Sequence, residues 1–138
     1  MNSSIAAVID TSAVMAIFLS EDEAEAIEGK IQEILSVNGQ LFVPPLFWYE
    51  TGNTLVTAIK RGRITADDLR GIEADLAELP IITEPMPAVE TRMRIREISL
   101  EKSLSFYDAA YLELSNRLDF PLISLDKKLI TAAARRFN

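Results

Sequence analysis

Short apolar segments alternate with longer amphipathic segments along the chain. Residues 5–9 form an apolar, partly β-branched run that predicts a buried strand, and similar runs predict strands at 40–43, 80–83 and 121–124. The spacing of apolar positions in the intervening segments predicts helices at 12–19, 21–36, 45–61, 65–79, 87–101, 105–117 and 126–137. The order βααβααβααβα predicts an α/β fold with three layers, α/β/α, in which helices flank a short parallel sheet.

Several helix starts carry their own signals. Ser20 is a candidate N-cap with Glu23 three residues on, a spacing typical of a capping box. Thr65 and Ser105 are candidate caps of two later helices. Pro44 and Pro45 are expected to open the long helix at 45–61, because proline is favoured in the first turn.

The composition indicates one domain over 1–138 and restricts the chemistry. The chain has 138 residues, of which 49% are hydrophobic, and no apolar run approaches the ~20 residues that span a bilayer. The N-terminus lacks a basic leader region, so we expect a cytoplasmic protein without a membrane association. Cysteine and histidine are both absent. Disulfides, thiolate ligands and imidazole bases are therefore excluded, and carboxylates, hydroxyls, amines or an oxygen-bound hard metal remain.

Four acidic residues lie in apolar surroundings, unlike the acids in runs such as SEDEAEAIE. Asp10 and Asp126 directly follow predicted strands, whereas Glu50 and Asp108 lie on predicted helices. Ligands of parallel sheets bind beyond the carboxyl ends of the strands. The joint placement of these acids therefore predicts a site at that edge of the sheet.

Each of these acids also has a purely structural explanation. Asp10 and Asp126 could cap the helices that follow them, the latter with help from Ser124. Glu50 could be a partly exposed helix residue, and Asp108 could complement the positive end of a helix dipole.

A cluster of carboxylates must share protons or bind cations. Without histidine or cysteine, an oxygen-only ligand set favours Mg²⁺ or Mn²⁺, which can activate water for attack on a phosphate. Ser12 and Asn53 fit as groups that hold a ligand or a water molecule. Ser12 could instead cap a helix, and Asn53 could be a surface amide, although its spacing from Glu50 puts both on one helical face.

The net charge of −7 opposes nucleic-acid binding, which normally requires a basic surface. Removing the four site acids from −7 leaves −3, so part of the acidity belongs to the expected metal site. Basic groups that could hold phosphates, or simply face solvent, are Lys60, Arg61, Arg63, Arg92, Arg94, Arg96, Lys127, Lys128, Arg135 and Arg136.

Four segments together resemble the motifs of the PIN-domain family, most closely its VapC-type toxins. They are VIDTSAVMAIF, VPPLFWYETGNTL, SFYDAAYLELS and LISLDKKL, and the resemblance extends over essentially the whole chain. It implies a PIN fold and a Mg²⁺- or Mn²⁺-dependent endoribonuclease. It also implies an RNA substrate, a VapB-type antitoxin that occupies a groove near the site, and a homodimer.

The resemblance transfers roles to individual positions. The metal-binding acids of the family fall on Asp10, Asp108 and Asp126, and its glutamate, a ligand or a base toward the attacking water, falls on Glu50. The family asparagine falls on Asn53. The hydroxyl of the last motif falls on Ser124, where threonine is more usual.

Other functions remain as alternatives. A catalytically weak PIN-like module that mainly binds protein or RNA would fit the acidity, and the acidic segment 21–28 could face a basic antitoxin segment. A receiver-like phosphoacceptor is disfavoured because the first strand leads to a single Asp10, and a D-x-D phosphatase is disfavoured by Ser12. The aromatic residues 47–49 could stack on RNA bases, although packing in the core or at a dimer interface fits their apolar context better.

Overall fold

The order of strands in the sheet creates a crevice beside the first strand. The computed structural model describes residues 5–134, in which the chain forms four strands and seven helices. The strands are β1 (Ala6–Ile9), β2 (Gln40–Val43), β3 (Ile81–Thr83) and β4 (Leu122–Ile123). All of them pair in parallel in the order β3-β2-β1-β4. The chain moves from β1 to β2 and β3, and then returns to the other side of β1, so the switch point lies between β1 and β4.

Seven helices cover the sheet in the predicted order, which confirms the α/β fold. They are α1 (Thr11–Phe18), α2 (Ala24–Ser36), α3 (Leu46–Lys60), α4 (Ala66–Glu78), α5 (Val89–Lys102), α6 (Phe106–Leu118) and α7 (Lys127–Ala134). The predicted continuation of the last helix, with Arg135 and Arg136, lies outside the described residues. None of the helices in residues 5–134 has the length and apolarity needed to cross a bilayer.

Burial on both faces explains why the sequence of β1 is an unbroken run of apolar residues. All four of its residues are buried, because the strand is central and has helices on both faces. Helix α6 packs on β1 and β4, and its Tyr111 and Leu112 are buried in the same core. The neighbouring strands β1 and β4 and helix α6 therefore form the base for the groups at the carboxyl edge.

The predicted capping box at Ser20 and Glu23 is wrong. Ser20 has a left-handed backbone with φ 54°, and its amide and that of Glu21 donate to the carbonyls of Ile17 and Ala16. This pattern is a Schellman motif that ends α1, so Ser20 terminates one helix instead of starting the next. Helix α2 consequently begins at Ala24, later than the predicted 21, without a side-chain cap.

The predicted caps at Thr65 and Ser105 are confirmed, whereas α1 is capped by Asp10 and not by Ser12. Thr65 accepts the amide of Asp68, and the Asp68 carboxylate accepts the amide of Thr65 in return. Ser105 accepts the amide of Asp108 at 3.0 Å, which fixes the first turn of α6. Since α6 leads into the amino end of β4, its own start lies at the carboxyl edge of the sheet.

Candidate metal centre

Asp10 lies where β1 passes into α1, and it belongs to both a helix cap and the candidate site. Its Oδ1 accepts the Ala13 amide at 3.1 Å and the Ser12 hydroxyl at 2.7 Å, while its Oδ2 accepts the Ser124 hydroxyl at 2.6 Å. Burial raises the pKa of Asp10, the hydrogen bonds from Ser124 and Ser12 oppose this rise, and the charge of Asp126 adds to it. The predicted capping role and the predicted site role are thus compatible.

Two serines join the ends of β1 and β4. Ser12 Oγ accepts the amide of Leu125 at 2.9 Å, and Ser124 Oγ accepts the amide of Asp126 at 2.9 Å. Asp126 in turn accepts the Leu129 amide at 3.0 Å and so caps α7. Because both serine hydroxyls also donate to Asp10, they connect its carboxylate to the backbone at Leu125 and Asp126.

Glu50 enters the site from α3 and is held by two hydroxyl groups. Its Oε1 accepts Tyr111 Oη at 2.7 Å and Thr11 Oγ1 at 3.0 Å. Burial raises the pKa of Glu50, and repulsion by Asp10 and Asp108 adds to the rise. Both hydroxyls act on the same oxygen, so Oε2 stays available to a ligand or to the proton of a water molecule.

Asp108 completes the cluster from the first turn of α6. Burial raises its pKa, repulsion by Asp126 adds to this effect, and the cation of Lys128 acts in the opposite direction. The pairwise repulsions link Asp10 with Asp126, Asp126 with Asp108, and Glu50 with both Asp10 and Asp108. The structure therefore brings all four predicted acids to one edge of the sheet.

Asn53 is not connected to this cluster. It is exposed on α3 and lines a shallow depression with Leu19 and Arg61, and in residues 5–134 no hydrogen bond joins it to a site carboxylate. Its predicted role, to hold a ligand or a water molecule at the site, stays a prediction.

The three aromatic residues at the start of α3 have different environments. Phe47 is fully buried, whereas Trp48 is 38% exposed and donates its indole N–H to Thr83 at 2.8 Å. Tyr49 is 82% exposed. Core packing is thus confirmed for Phe47.

Sequence reasoning missed Thr11 and Tyr111, whose hydroxyl groups contact the candidate site through Glu50. Tyr111 is only 1% exposed and lies one helical turn after Asp108 on the same face of α6. Its hydroxyl group distinguishes it from a core residue, since a buried phenol requires a hydrogen-bond partner. The need for this partner was the one signal in the sequence that could have pointed to Tyr111.

A buried acid outside the site provides a useful contrast. Glu113, 3% exposed on α6, pairs with Arg117 at 2.9 Å and with Arg94 at 3.6 Å. In residues 5–134, none of the four site carboxylates forms an ion pair. The fold therefore neutralises Glu113 internally but leaves the carboxylate cluster without a cationic partner within ion-pair distance.

The donor set suits a hard divalent cation. All available donors are carboxylate or hydroxyl oxygens, and a cation would relieve the mutual repulsion that raises the pKa values of Asp10, Glu50 and Asp108. Within the described part of the chain, no three acidic side chains already form a ligand set of metal-binding dimensions. Both oxygens of Asp10 are directed to hydroxyl groups.

We predict that this repulsion makes the metal-free fold less stable as the pH rises. The raised pKa of Asp108 means that its stabilising contribution is fully present below the unfolded pKa of ~3.9 and is lost as the pH passes the folded value. An Asp108→Asn variant should unfold at higher urea than the wild type at about pH 7.5 in EDTA, and this difference should shrink toward about pH 4.5.

Asp75→Asn provides the control, because Asp75 is exposed on α4. Its stability relative to the wild type should show little change over the same pH range. A stability difference for Asp108→Asn that is constant with pH, or that grows as the pH falls, would contradict the prediction.

Comparisons with known proteins identify the family of the chain. The family pattern described as PIN domain matches residues 7–135. The ribonuclease VapC3 of Pyrobaculum aerophilum is 25% identical over 122 residues, which cover 88% of this chain and 90% of that protein. The crystal structure of PAE2754 from Pyrobaculum aerophilum has the same fold, with a TM-score of 0.68 and 24% identity over 94% of this chain and 87% of that one. The PIN match spans nearly the whole chain and contains all four site acids, and the chain therefore belongs to the PIN-domain family.

Proposed function

We propose that this protein is a divalent-metal-dependent endoribonuclease that acts as the toxin of a type II toxin–antitoxin pair. One observation carries the proposal: four carboxylates lie at the carboxyl edge of a parallel sheet, close enough to repel one another, and none of them has an ion-pair partner among residues 5–134. Membership of the PIN-domain family supports a nuclease, as does the similarity to a protein named ribonuclease VapC3.

The proposal assigns a role to each side chain. Asp10, Asp108 and Asp126 would hold Mg²⁺ or Mn²⁺, and Glu50 would serve as a further ligand or as the base that accepts a proton from the attacking water at Oε2. The bound ion would supply Lewis acidity and charge stabilisation for an in-line attack on phosphorus.

The hydroxyl groups around the carboxylates would position them for this chemistry. Ser12 and Ser124 keep both oxygens of Asp10 in place, and Thr11 and Tyr111 keep one oxygen of Glu50 in place. Such partners reduce the freedom of a ligand before the ion arrives, and their loss typically lowers metal affinity or activity by about 10–100-fold.

The family resemblance extends the proposal to two protein partners, a VapB-type antitoxin and a second copy of the chain. An apolar groove of about 370 Å³ supports a contact with another protein. It lies between the Pro44–Leu46 segment and the start of α6, and it includes the exposed side chains of Met86 and Tyr107. Exposed apolar grooves of this kind are typical of protein interfaces. An RNA target and an antitoxin partner would both place the protein in the cytoplasm.

The second candidate function is a PIN module that binds partners but cleaves RNA weakly. The net charge of −7 favours this candidate. The gene neighbourhood discriminates between the two candidates, because a short adjacent frame for a DNA-binding antitoxin supports the toxin, whereas fusion to another domain supports the module.

We predict that Asp10→Asn, and separately Asp126→Asn, lowers Mn²⁺-dependent cleavage of RNA by at least about 100-fold, the lower range for a positioned catalytic group. The far-ultraviolet circular dichroism should stay that of the wild type. Cleavage is measured on purified protein with labelled RNA, with and without EDTA. Asp75→Asn changes the net charge equally and should retain full activity. Undiminished cleavage by both site variants, after removal of contaminating nuclease, would refute the assignment.

We predict that Tyr111→Phe lowers kcat by about 10–100-fold, because Glu50 loses its shorter hydrogen bond while the aromatic ring stays in the core. The free energy of unfolding should change by no more than ~1.5 kcal/mol, the range for one hydrogen bond. Single-turnover cleavage and urea unfolding measure the two effects. Tyr49→Phe, at an 82% exposed position, is the matched control. Equal kcat values for the two variants would show that Tyr111 does not position Glu50.

A further inference from the structure

A polar concavity lies near the carboxylate cluster, on a different surface from the apolar groove. It has a volume of about 670 Å³ and is formed where the end of α5 faces α7. Lys102 comes from α5, and Lys127 and Lys128 come from the first turn of α7. We call this surface the lysine groove. Its remaining lining consists of Glu101, Ser103, Thr131 and Ala132.

The three lysines have no ion-pair partner within residues 5–134. Arginines elsewhere are engaged, for example Arg63 with Glu21 and Arg117 with Glu84. In a chain with a net charge of −7, three amines therefore share one concave surface with a single carboxylate, that of Glu101, in its lining. The repulsion among the amines favours a ligand that carries several negative charges.

Lys127 and Lys128 place one end of the groove next to the candidate metal centre. Both residues directly follow Asp126 in the chain and lie in the first turn of α7, the helix that Asp126 caps. A polyanion bound along the groove would therefore extend to the carboxylate cluster. The sequence predicted phosphate contacts only for separate basic segments, and it did not connect Lys102 with α7.

We propose that the lysine groove binds the phosphodiester backbone of single-stranded RNA next to the bond that is cleaved. The proposal rests on the proposed ribonuclease function and adds the path of the substrate strand. Lysine amines contact phosphates as point charges and do not read bases, so the groove contributes affinity and position but no sequence preference. It also explains how an acidic protein can hold RNA, because the required positive charge is concentrated beside the site.

The test measures RNA binding without cleavage. A fluorescein-labelled single-stranded oligouridylate is titrated with the full chain in EDTA at several salt concentrations, and anisotropy gives Kd. The variant Lys102→Gln/Lys127→Gln removes two amines and leaves Lys128, which acts on Asp108, unchanged. Each phosphate contact on a single strand contributes about 0.7 to the slope of log Kd against log salt, so the double variant should lower this slope by about 1.4.

Two controls separate the groove from general charge effects. Lys30→Gln/Arg70→Gln removes the same charge from α2 and α4, outside the groove, and should leave the slope unchanged. Lys102→Arg/Lys127→Arg keeps the charge and should retain the wild-type slope. An unchanged slope in the glutamine variant of the groove would overturn the proposal. Equal losses in both glutamine variants would overturn it as well, since net charge alone would then explain the effect.

A competition experiment tests whether the groove binds an acidic protein segment instead of RNA. An acidic peptide, oligoglutamate of the same charge, should displace the labelled RNA only at much higher concentration than unlabelled oligouridylate. Displacement at equal concentration would assign the groove to an acidic protein segment and overturn the RNA proposal. Binding in EDTA is independent of catalysis. The proposal that the groove binds RNA can therefore be refuted while the nuclease assignment holds. It can also be supported if the chain binds RNA without cleaving it.

Discussion

Electrostatic repulsion among four carboxylates at one edge of the sheet is the constraint on which the site depends. Asp10 is 5% exposed, and a buried charge without a partner is costly. The fold lowers part of this cost with hydrogen bonds from hydroxyl and amide groups, but these bonds do not neutralise the charge. The arrangement therefore favours a divalent cation, and the rest of the architecture serves to hold the acids near one another despite their repulsion.

Sheet topology places two of the acids, and helix placement adds the other two. The jump from β3 to β4 makes β1 and β4 neighbours, so Asp10 and Asp126 leave adjacent strands at the same edge. Helix α3 brings Glu50 and the start of α6 brings Asp108. Four hydroxyl groups, those of Thr11, Ser12, Tyr111 and Ser124, then fix the orientation of Asp10 and Glu50. Glu113 shows the other way to accommodate a buried acid, which is pairing with two arginines.

The sequence allowed prediction of the element order and of the four acids, because both depend on local patterns. Apolar runs define β1 to β4, and the acids follow strands or interrupt apolar helix faces. The start of α2 was mispredicted because Ser20 has the residue type of an N-cap but lies in the left-handed turn that ends α1. Residue type alone does not distinguish these two roles.

Contacts between distant segments could not be predicted in the same way. The hydrogen bond of Tyr111 to Glu50 joins two helices that are far apart in the chain, and nothing in the local pattern around either residue reports it. The grouping of Lys102 with Lys127 likewise appears only when α5 and α7 are packed together. Asn53 illustrates the opposite case, since its spacing from Glu50 indicated a shared face, yet the structure shows an exposed amide without a hydrogen bond to the cluster. Spacing places a residue on a helix face but does not specify how far along the helix the site extends.

Binding of Mn²⁺ tests most directly whether the carboxylate cluster is a metal centre. Electron paramagnetic resonance measures the signal of free Mn²⁺ as the ion is titrated into wild-type protein, the double variant Asp10→Asn/Asp108→Asn and the control Asp75→Asn. A metal centre at the cluster predicts that the wild type and the control remove the same amount of free Mn²⁺ from solution, and that the double variant loses this binding. Equal Mn²⁺ binding by all three proteins, or no binding by the wild type at millimolar Mn²⁺, would contradict a metal centre at these residues.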